Sequence, residues 1–300
     1  MEARSRPRDL KVLGFGDNVV DVYEHRKRMY PGGNCVNFAV FAKAHQVECA
    51  AYMGYFGDDP AGRYVEDVLQ RLGIDLRCSR RLAGENGFAR VTVREGDRIF
   101  LESNHGGIRG KVPYRLGEEE LAYISGFDLV HSGNYSFTEA MLPRIQALGV
   151  PISFDFSDDS KPEYYRRVAP YITYAFCSKS GGEDEVMDHL RWMKSLGPEL
   201  VMASRGEKGS ILYDGEHFYR QESEPLTEVV DTMGAGDSLI TSFLVHYLDQ
   251  RKQGRDTDGA IRESLRRASE FAAATCGTEG SFGYGIEYRR NFFESKYDVI

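Results

Sequence analysis

Val229-Val230-Asp231-Thr232-Met233-Gly234-Ala235-Gly236-Asp237-Ser238 decides how the chain is read, because a strand-like apolar pair runs through a glycine-spaced turn straight into a helical pattern. The helix expected from about Ala235 to Leu248 would bury Leu239, Ile240, Phe243, Leu244 and Tyr247. A strand feeding a helix through so tight a turn belongs to alternating α/β architecture and leaves backbone amides exposed at the helix start. Those amides and the positive end of the helix dipole bind anions, and they suit a polyphosphate whose charge grows during transfer. Asp237 falls in the first helical turn, where a carboxylate is held as the ion and can take a proton from an attacking hydroxyl. A structural β-to-α turn with Asp237 as a cap is the other reading of the same residues.

The alternation extends through the chain. Strands are expected at Leu10 to Gly16, Ala50 to Gly54, Phe127 to Ser132, Ile152 to Phe156, Tyr174 to Cys177 and Leu200 to Ala203. Helices are expected from Asn34, over Ala61 to Leu72, near Thr138 to Leu148, over Glu183 to Ser195 and over Thr257 to Cys276. Two hairpins interrupt the rhythm, one around Glu95-Gly96-Asp97 and one around Asp214-Gly215-Glu216. No repeat, linker or composition break divides the chain, so residues 1–300 are read as one domain. Its main body is a three-layer α/β/α fold with a mostly parallel sheet, and segments 17–31 and 86–104 form a small β lid.

Composition removes several function classes. A formal charge of -8, with Lys and Arg scattered among Asp and Glu, argues against a nucleic acid partner. Cys35, Cys49, Cys78, Cys177 and Cys276 form no C-x-x-C pair or zinc-type cluster, which fits reduced thiols and a cytoplasmic protein. No run is apolar for the roughly 18 residues a membrane span needs, and the charged N-terminal segment has no apolar core, so no membrane partner is expected. The G-x-x-x-x-G-K-[ST] loop is absent, and Gly14-Phe15-Gly16 lacks the third glycine of a dinucleotide fingerprint.

Asp231-Thr232-Met233-Gly234-Ala235-Gly236-Asp237 resembles the C-terminal signature of the PfkB carbohydrate kinases, the ribokinase family. Gly32-Gly33-Asn34-Cys35-Val36-Asn37-Phe38-Ala39 resembles its N-terminal signature, and Gly54-Tyr55-Phe56-Gly57-Asp58-Asp59-Pro60-Ala61-Gly62 a later segment. The similarity runs from about residue 11 to 285. It implies an ATP-dependent kinase in which Gly234, Ala235 and Gly236 line an anion hole and Asp237 deprotonates the acceptor hydroxyl. Asp231 and Thr232 would flank that site. The resemblance also implies that Asp21 holds sugar hydroxyls, with Gly32, Gly33 and Asn37 beside it, chemistry suited to a polyol because carboxylate and amide exchange hydrogen bonds with hydroxyls. Ser204, Gly206 and Gly209 resemble a T-x-G-x-x-G segment that contacts nucleotide phosphates, with Ser204 and Arg205 departing from the usual residues. The family's N-x-x-E element, tied to Mg²⁺, corresponds to the region of Ser178 to Glu185, with Glu185 in the glutamate's place and no asparagine three residues before it. A monovalent cation such as K⁺ is a further candidate cofactor, and a homodimer through the lid a candidate assembly.

Within the family, Gly16 to Tyr23, Tyr30 to Asn34, Asp97 to Phe100 and Phe154 to Asp158 look most like fructoselysine 6-kinases, which phosphorylate the C6 hydroxyl of fructosamines. A sugar with an amino-acid tail calls for carboxylates and an arginine in its pocket. Arg98 and Asp155 are the residues expected to serve, and Asn104 and His105, just past the hairpin, are expected to face the sugar. Fructokinase, ribokinase and nucleoside kinase activities stay open as alternatives, and so does a catalytically silent binding protein on the same fold. The missing glycine fingerprint stands against an oxidoreductase.

Overall fold

A computed structural model describes residues 8–94, 97–158, 161–226 and 229–288, without the side chains of residues 93–100. The strands in chain order are β1 (Arg8–Gly16), β2 (Val19–Tyr23), β3 (Arg28–Gly32), β4 (Val47–Gly57), β5 (Arg80–Leu82), β6 (Phe88–Arg94), β7 (Asp97–Ser103), β8 (Leu129–Gly133), β9 (Ile152–Asp155), β10 (Tyr174–Ser178), β11 (Leu200–Ser204), β12 (Ser210–Tyr213), β13 (Phe218–Gln221) and β14 (Ile286–Glu287). The helices are α1 (Asn34–Ala44), α2 (Pro60–Arg71), α3 (Ile108–Lys111), α4 (Glu118–Ile124), α5 (Leu142–Gln146), α6 (Pro162–Val168), α7 (Glu183–Ser195), α8 (Ala235–Lys252) and α9 (Thr257–Thr275).

Successive residues of the central strands are apolar on both sides, and each side feeds a different core. On β1, Leu10 and Val12 pack towards α1, α8 and α9, while Leu13 and Phe15 pack towards α4 to α7. Tyr52 and Phe56 of β4 oppose Ala51 and Met53 in the same way. Strands buried on both faces must be covered by helices on both faces, and that produces the three layers. The sheet order is β13-β12-β11-β10-β9-β8-β1-β4-β5, parallel from β11 to β5 and antiparallel at the β12 and β13 hairpin. This is a three-layer α/β/α fold with a mostly parallel central sheet.

A second sheet, in the order β14-β3-β2-β6-β7, is built from β2 and β3, from the hairpin around residues 95–97 and from the C-terminal strand β14. Its β2 pairs in parallel with β6 through Val20 and Phe88 and antiparallel with β3 through Asp21 and Tyr30. Asp59 caps α2 by accepting the Gly62 amide at 2.7 Å and holds the Asn86 amide at 2.8 Å, which fixes where the second sheet leaves the main body.

One expectation is corrected. Val229 and Val230 form no strand: the chain leaves β13 at Gln221, and the amides of Val230 and Asp231 donate to the Cys276 carbonyl at 2.9 and 3.1 Å. With Val229 55% exposed, an apolar pair signals a strand only where a neighbouring strand can cover it.

Candidate active site

Strands β1, β8 and β9 end on the same edge of the sheet, and α1 and α8 begin there. Crevices outside the carboxyl ends of parallel strands are the usual place for ligands in such folds. Asp237, in the first turn of α8, lies in this crevice with its two oxygens held from α1. Asn34 Nδ2 donates to Oδ1 at 2.8 Å, and Asn37 Nδ2 donates to Oδ2 at 2.5 Å. The two asparagines are one helical turn apart, so one face of α1 presents both amides.

Asn34 also donates to Asp155 Oδ2 at 3.1 Å, so a single amide bridges two carboxylates. Its orientation is set from behind, because Asn34 Oδ1 meets His131 Nε2 at 2.8 Å and His131 Nδ1 meets Ser153 Oγ at 2.8 Å. Burial pushes the His131 imidazole down to about 3, which keeps it neutral. Since the Asn34 amide nitrogen faces the carboxylates, its oxygen accepts, and the imidazole proton sits on Nε2. Asp17, past the end of β1, takes the amides of Asn34 and Cys35 at 2.7 and 3.1 Å and so caps α1 from a distance.

Burial raises the Asp237 pKa above the ordinary aspartate value, and the Asn37 and Asn34 donors oppose that rise. Asp155 is pushed up to about 7, first by burial and then by the neighbouring charge of Asp237. Two carboxylates tethered to one amide therefore titrate as a coupled pair. The sign for Asp155 follows from linkage: a raised pKa means the fold disfavours its ion, a cost absent below about pH 4 and fully present above about pH 7. Asp155→Asn should accordingly shift in melting temperature relative to wild type, and in its own favour, as pH rises from 4 to 8. Melts in matched buffers check this, and a difference that does not change with pH would contradict it.

The turn before α8 is tied down by Asp231, which is buried and accepts from Tyr23 Oη at 2.6 Å, the Gly280 amide at 3.0 Å and the Met233 amide at 3.0 Å. Thr232 is exposed, and its carbonyl accepts the Ala235 amide at 3.3 Å. Gly234 caps α8 with φ 74, a left-handed conformation that favours glycine. The amides of Gly236 and Asp237 lie in the first turn and have no intrahelical acceptor, so they remain available to an anion.

On the acceptor side, Asp21 is buried on β2, and a Cβ at Gly32 would overlap its Oδ2. Gly33 has φ 105 and lies against the Asp17 carboxylate. Asn37 also donates to Ser281 Oγ at 3.0 Å, while its Oδ1 is buried with no hydrogen-bond partner. Asn104 is fully engaged elsewhere: its oxygen accepts the Phe88 amide at 2.9 Å and its nitrogen donates to the Asn86 carbonyl at 2.7 Å, which braces the base of the second sheet. Arg98 pairs with Val93 in the β6–β7 hairpin, and its side chain lies outside the described residues.

Beyond β11, Gly206 and Gly209 adopt φ 59 and 78 in a short turn, and Ser204 Oγ meets Ser178 Oγ at 3.0 Å. Open space surrounds the Cα of Gly206. Glu185, in the first turn of α7, is ion-paired with Lys179 at 3.5 Å. Among the described residues no three His, Cys, Asp or Glu side chains converge as metal ligands. Sequence reasoning overlooked His131, Ser153, Ser281 and the bridging role of Asn34; the spacing of Asn34 and Asn37 was the one available sign.

The described residues include no helix long and apolar enough to cross a membrane. A profile of the pfkB family carbohydrate kinases matches residues 6–283. The chain is 42% identical over 284 residues to the fructosamine kinase FrlD of Bacillus subtilis, covering 93% of this chain and 95% of the relative. It is 32% identical over 236 residues to the fructoselysine 6-kinase of Escherichia coli, with 78% and 88% covered. Among solved structures it resembles the Arabidopsis thaliana ribokinase complexed with ribose and ATP, at a TM-score of 0.74 and 20% identity over 92% of this chain and 95% of the other.

Proposed function

The chain belongs to the PfkB family of carbohydrate kinases, and we propose that it transfers the terminal phosphoryl group of MgATP to the C6 hydroxyl of fructoselysine or a related fructose-amino acid. The observation that carries the chemistry is the Asp237 carboxylate, held by two amide donors one residue from unbonded helix-start N–H groups. As the acceptor oxygen bonds to the terminal phosphorus, the bond from that phosphorus to its bridging oxygen breaks and ADP leaves, while the hydroxyl proton passes to Asp237, whose raised pKa brings it nearer the operating pH. The amides of Gly236 and Asp237 meet charge developing on the transferred group. Bound MgATP supplies that group, and its cation offsets phosphate charge without a protein cage.

Asp21 on β2 offers a buried carboxylate to sugar hydroxyls, and the sheet carrying it, from residues 17–31 and 86–104, serves as a lid that excludes water. The choice of a fructosamine acceptor rests on the similarity to the two named relatives. With Mg-ATP, fructoselysine and other fructose-amino acids should exceed free fructose in kcat/KM by about tenfold or more. Ribose, 2-keto-3-deoxygluconate and nucleosides complete the panel. Efficient turnover of fructose or ribose with no turnover of fructosamines would sink the acceptor assignment and leave the sugar kinase standing.

A further inference from the structure

Arg109, on α3, is buried to 3% exposure and is the only Lys or Arg among the buried residues described. Its Nε and Nη1 have no hydrogen-bond partner, and no ion pair joins it to a carboxylate among the described residues. The buried acids behave otherwise: Asp17, Asp59 and Asp231 accept backbone or hydroxyl protons, and Glu120 pairs with Arg80. A guanidinium removed from water without an anion is costly, so the fold retains it at a price unless something completes it.

Its surroundings adjoin the crevice through Phe137 and Ser136. The guanidinium carbon lies 4.7 Å from the centre of the Phe137 ring, and Phe137 follows Ser136, whose hydroxyl donates to Asp17 at 2.9 Å. A Cβ on Gly106 would overlap Arg109 Nη2, and one on Gly87 would lie 3.3 Å from the Gly106 Cα and 2.8 Å from the Asn18 carbonyl. The arginine thus packs against the loops that follow β7 and β8, and Gly106 beside it adjoins Gly87.

Two left-handed residues other than glycine, His105 and Phe137, stand here. His105, Gly106 and Gly107 have φ 51, 85 and 56 in succession, and Phe137 has φ 55. A left-handed phenylalanine is uncommon, and such strain clusters at ligand clamps. Phe137 is 45% exposed although its ring covers the guanidinium, so a ligand can reach the arginine by displacing a ring that faces solvent.

We infer that Arg109 is the receptor for the carboxylate of the acceptor's amino-acid tail, with Phe137 as the flap over it. This rests on the fructosamine assignment and deepens it, because the Nη1 and Nη2 edge of a guanidinium can donate to both oxygens of one carboxylate. A fructosamine brings such an anion to the sugar, and fructose does not.

The test compares fructosyl-glycine with fructosyl-glycinamide, which differ only in the carboxylate. For the wild-type enzyme, kcat/KM should favour the carboxylate by about tenfold or more, mainly through KM, and Arg109→Met should bring the ratio to within about twofold of one. Arg109→Lys should keep part of the preference. A wild-type ratio near one overturns the subsite, and so does an Arg109→Met enzyme that keeps the wild-type ratio. Should Arg109→Met fail to fold, the wild-type ratio and Arg109→Lys decide: no preference in the first, or an undiminished one in the second, refutes the assignment. Turnover of fructose with neither adduct accepted overturns the fructosamine reading and the subsite together, a result distinct from equal turnover of both adducts.

Discussion

Asp237→Asn should lower kcat by about 10²-fold or more while ATP affinity stays within about threefold of wild type. The substitution preserves size and removes the proton acceptor. It also disturbs the hydrogen bonding, because both oxygens of Asp237 accept from amide donors, Asn34 at 2.8 Å and Asn37 at 2.5 Å. An asparagine offers one acceptor oxygen, so one of those donors would face another NH₂ group. Burial already costs the carboxylate part of its ionisation, so the folded protein tolerates a neutral group at this position. Steady-state kinetics with a fructosamine acceptor and calorimetric titration of ATP separate the two quantities. An Asp237→Asn enzyme with wild-type kcat would remove Asp237 from its role as base.

Gly234→Ala should reduce kcat by about 10²- to 10³-fold, comparable to losing a donor to a developing anion. Two features of the turn point the same way. The backbone has φ 74, and an added Cβ would stand 2.7 Å from both the Cβ and the Oγ of Ser281. Relief requires either moving Ser281, which also accepts from Asn37, or rotating the residue out of the left-handed region. Both reorient the first amides of α8. The melting temperature should fall by several degrees, in line with about 1–3 kcal/mol of local strain. Gly236→Ala is the control, since no atom lies within 4 Å of the added Cβ and its φ is not left-handed. That variant should melt no lower than wild type, because alanine favours a helix over glycine by about 1 kcal/mol. Wild-type kcat in Gly234→Ala would show that the turn's geometry is not used in transfer.

Much of the main body was legible because its central strands are apolar on both faces and its long helices repeat at 3.6 residues. The run Glu183–Ser195 coincides with its expected bounds. Elements of few residues carried no such signal: β5 spans three residues, and α3, α4 and α6 span four, seven and seven. Val229 and Val230 misled because hydrophobicity does not report whether a neighbouring strand is present.

At the site the division is between local and distant. The glycine turn and Asp237 are contiguous and could be read as one chemical unit. The Asn34 contacts join residues 97, 121 and 203 positions apart, and no local pattern announces such meetings. Asn104 shows the converse. Its place beside the hairpin suggested a ligand contact, yet both ends of its amide are taken by backbone.

The Tyr23 hydroxyl, on the second sheet, donates to Asp231 at 2.6 Å, while the Asp231 side chain also holds the Met233 amide directly before the Gly234 turn. A short bond to a carboxylate is worth more than a neutral one, so moving β2 means stretching the cord that also anchors the Gly234 turn. The two halves of the crevice are consequently harnessed together, and a displacement begun by one occupant is transmitted to the footing of the other. By reciprocity, whatever advantage the sugar lends the nucleotide, the nucleotide returns by the same factor.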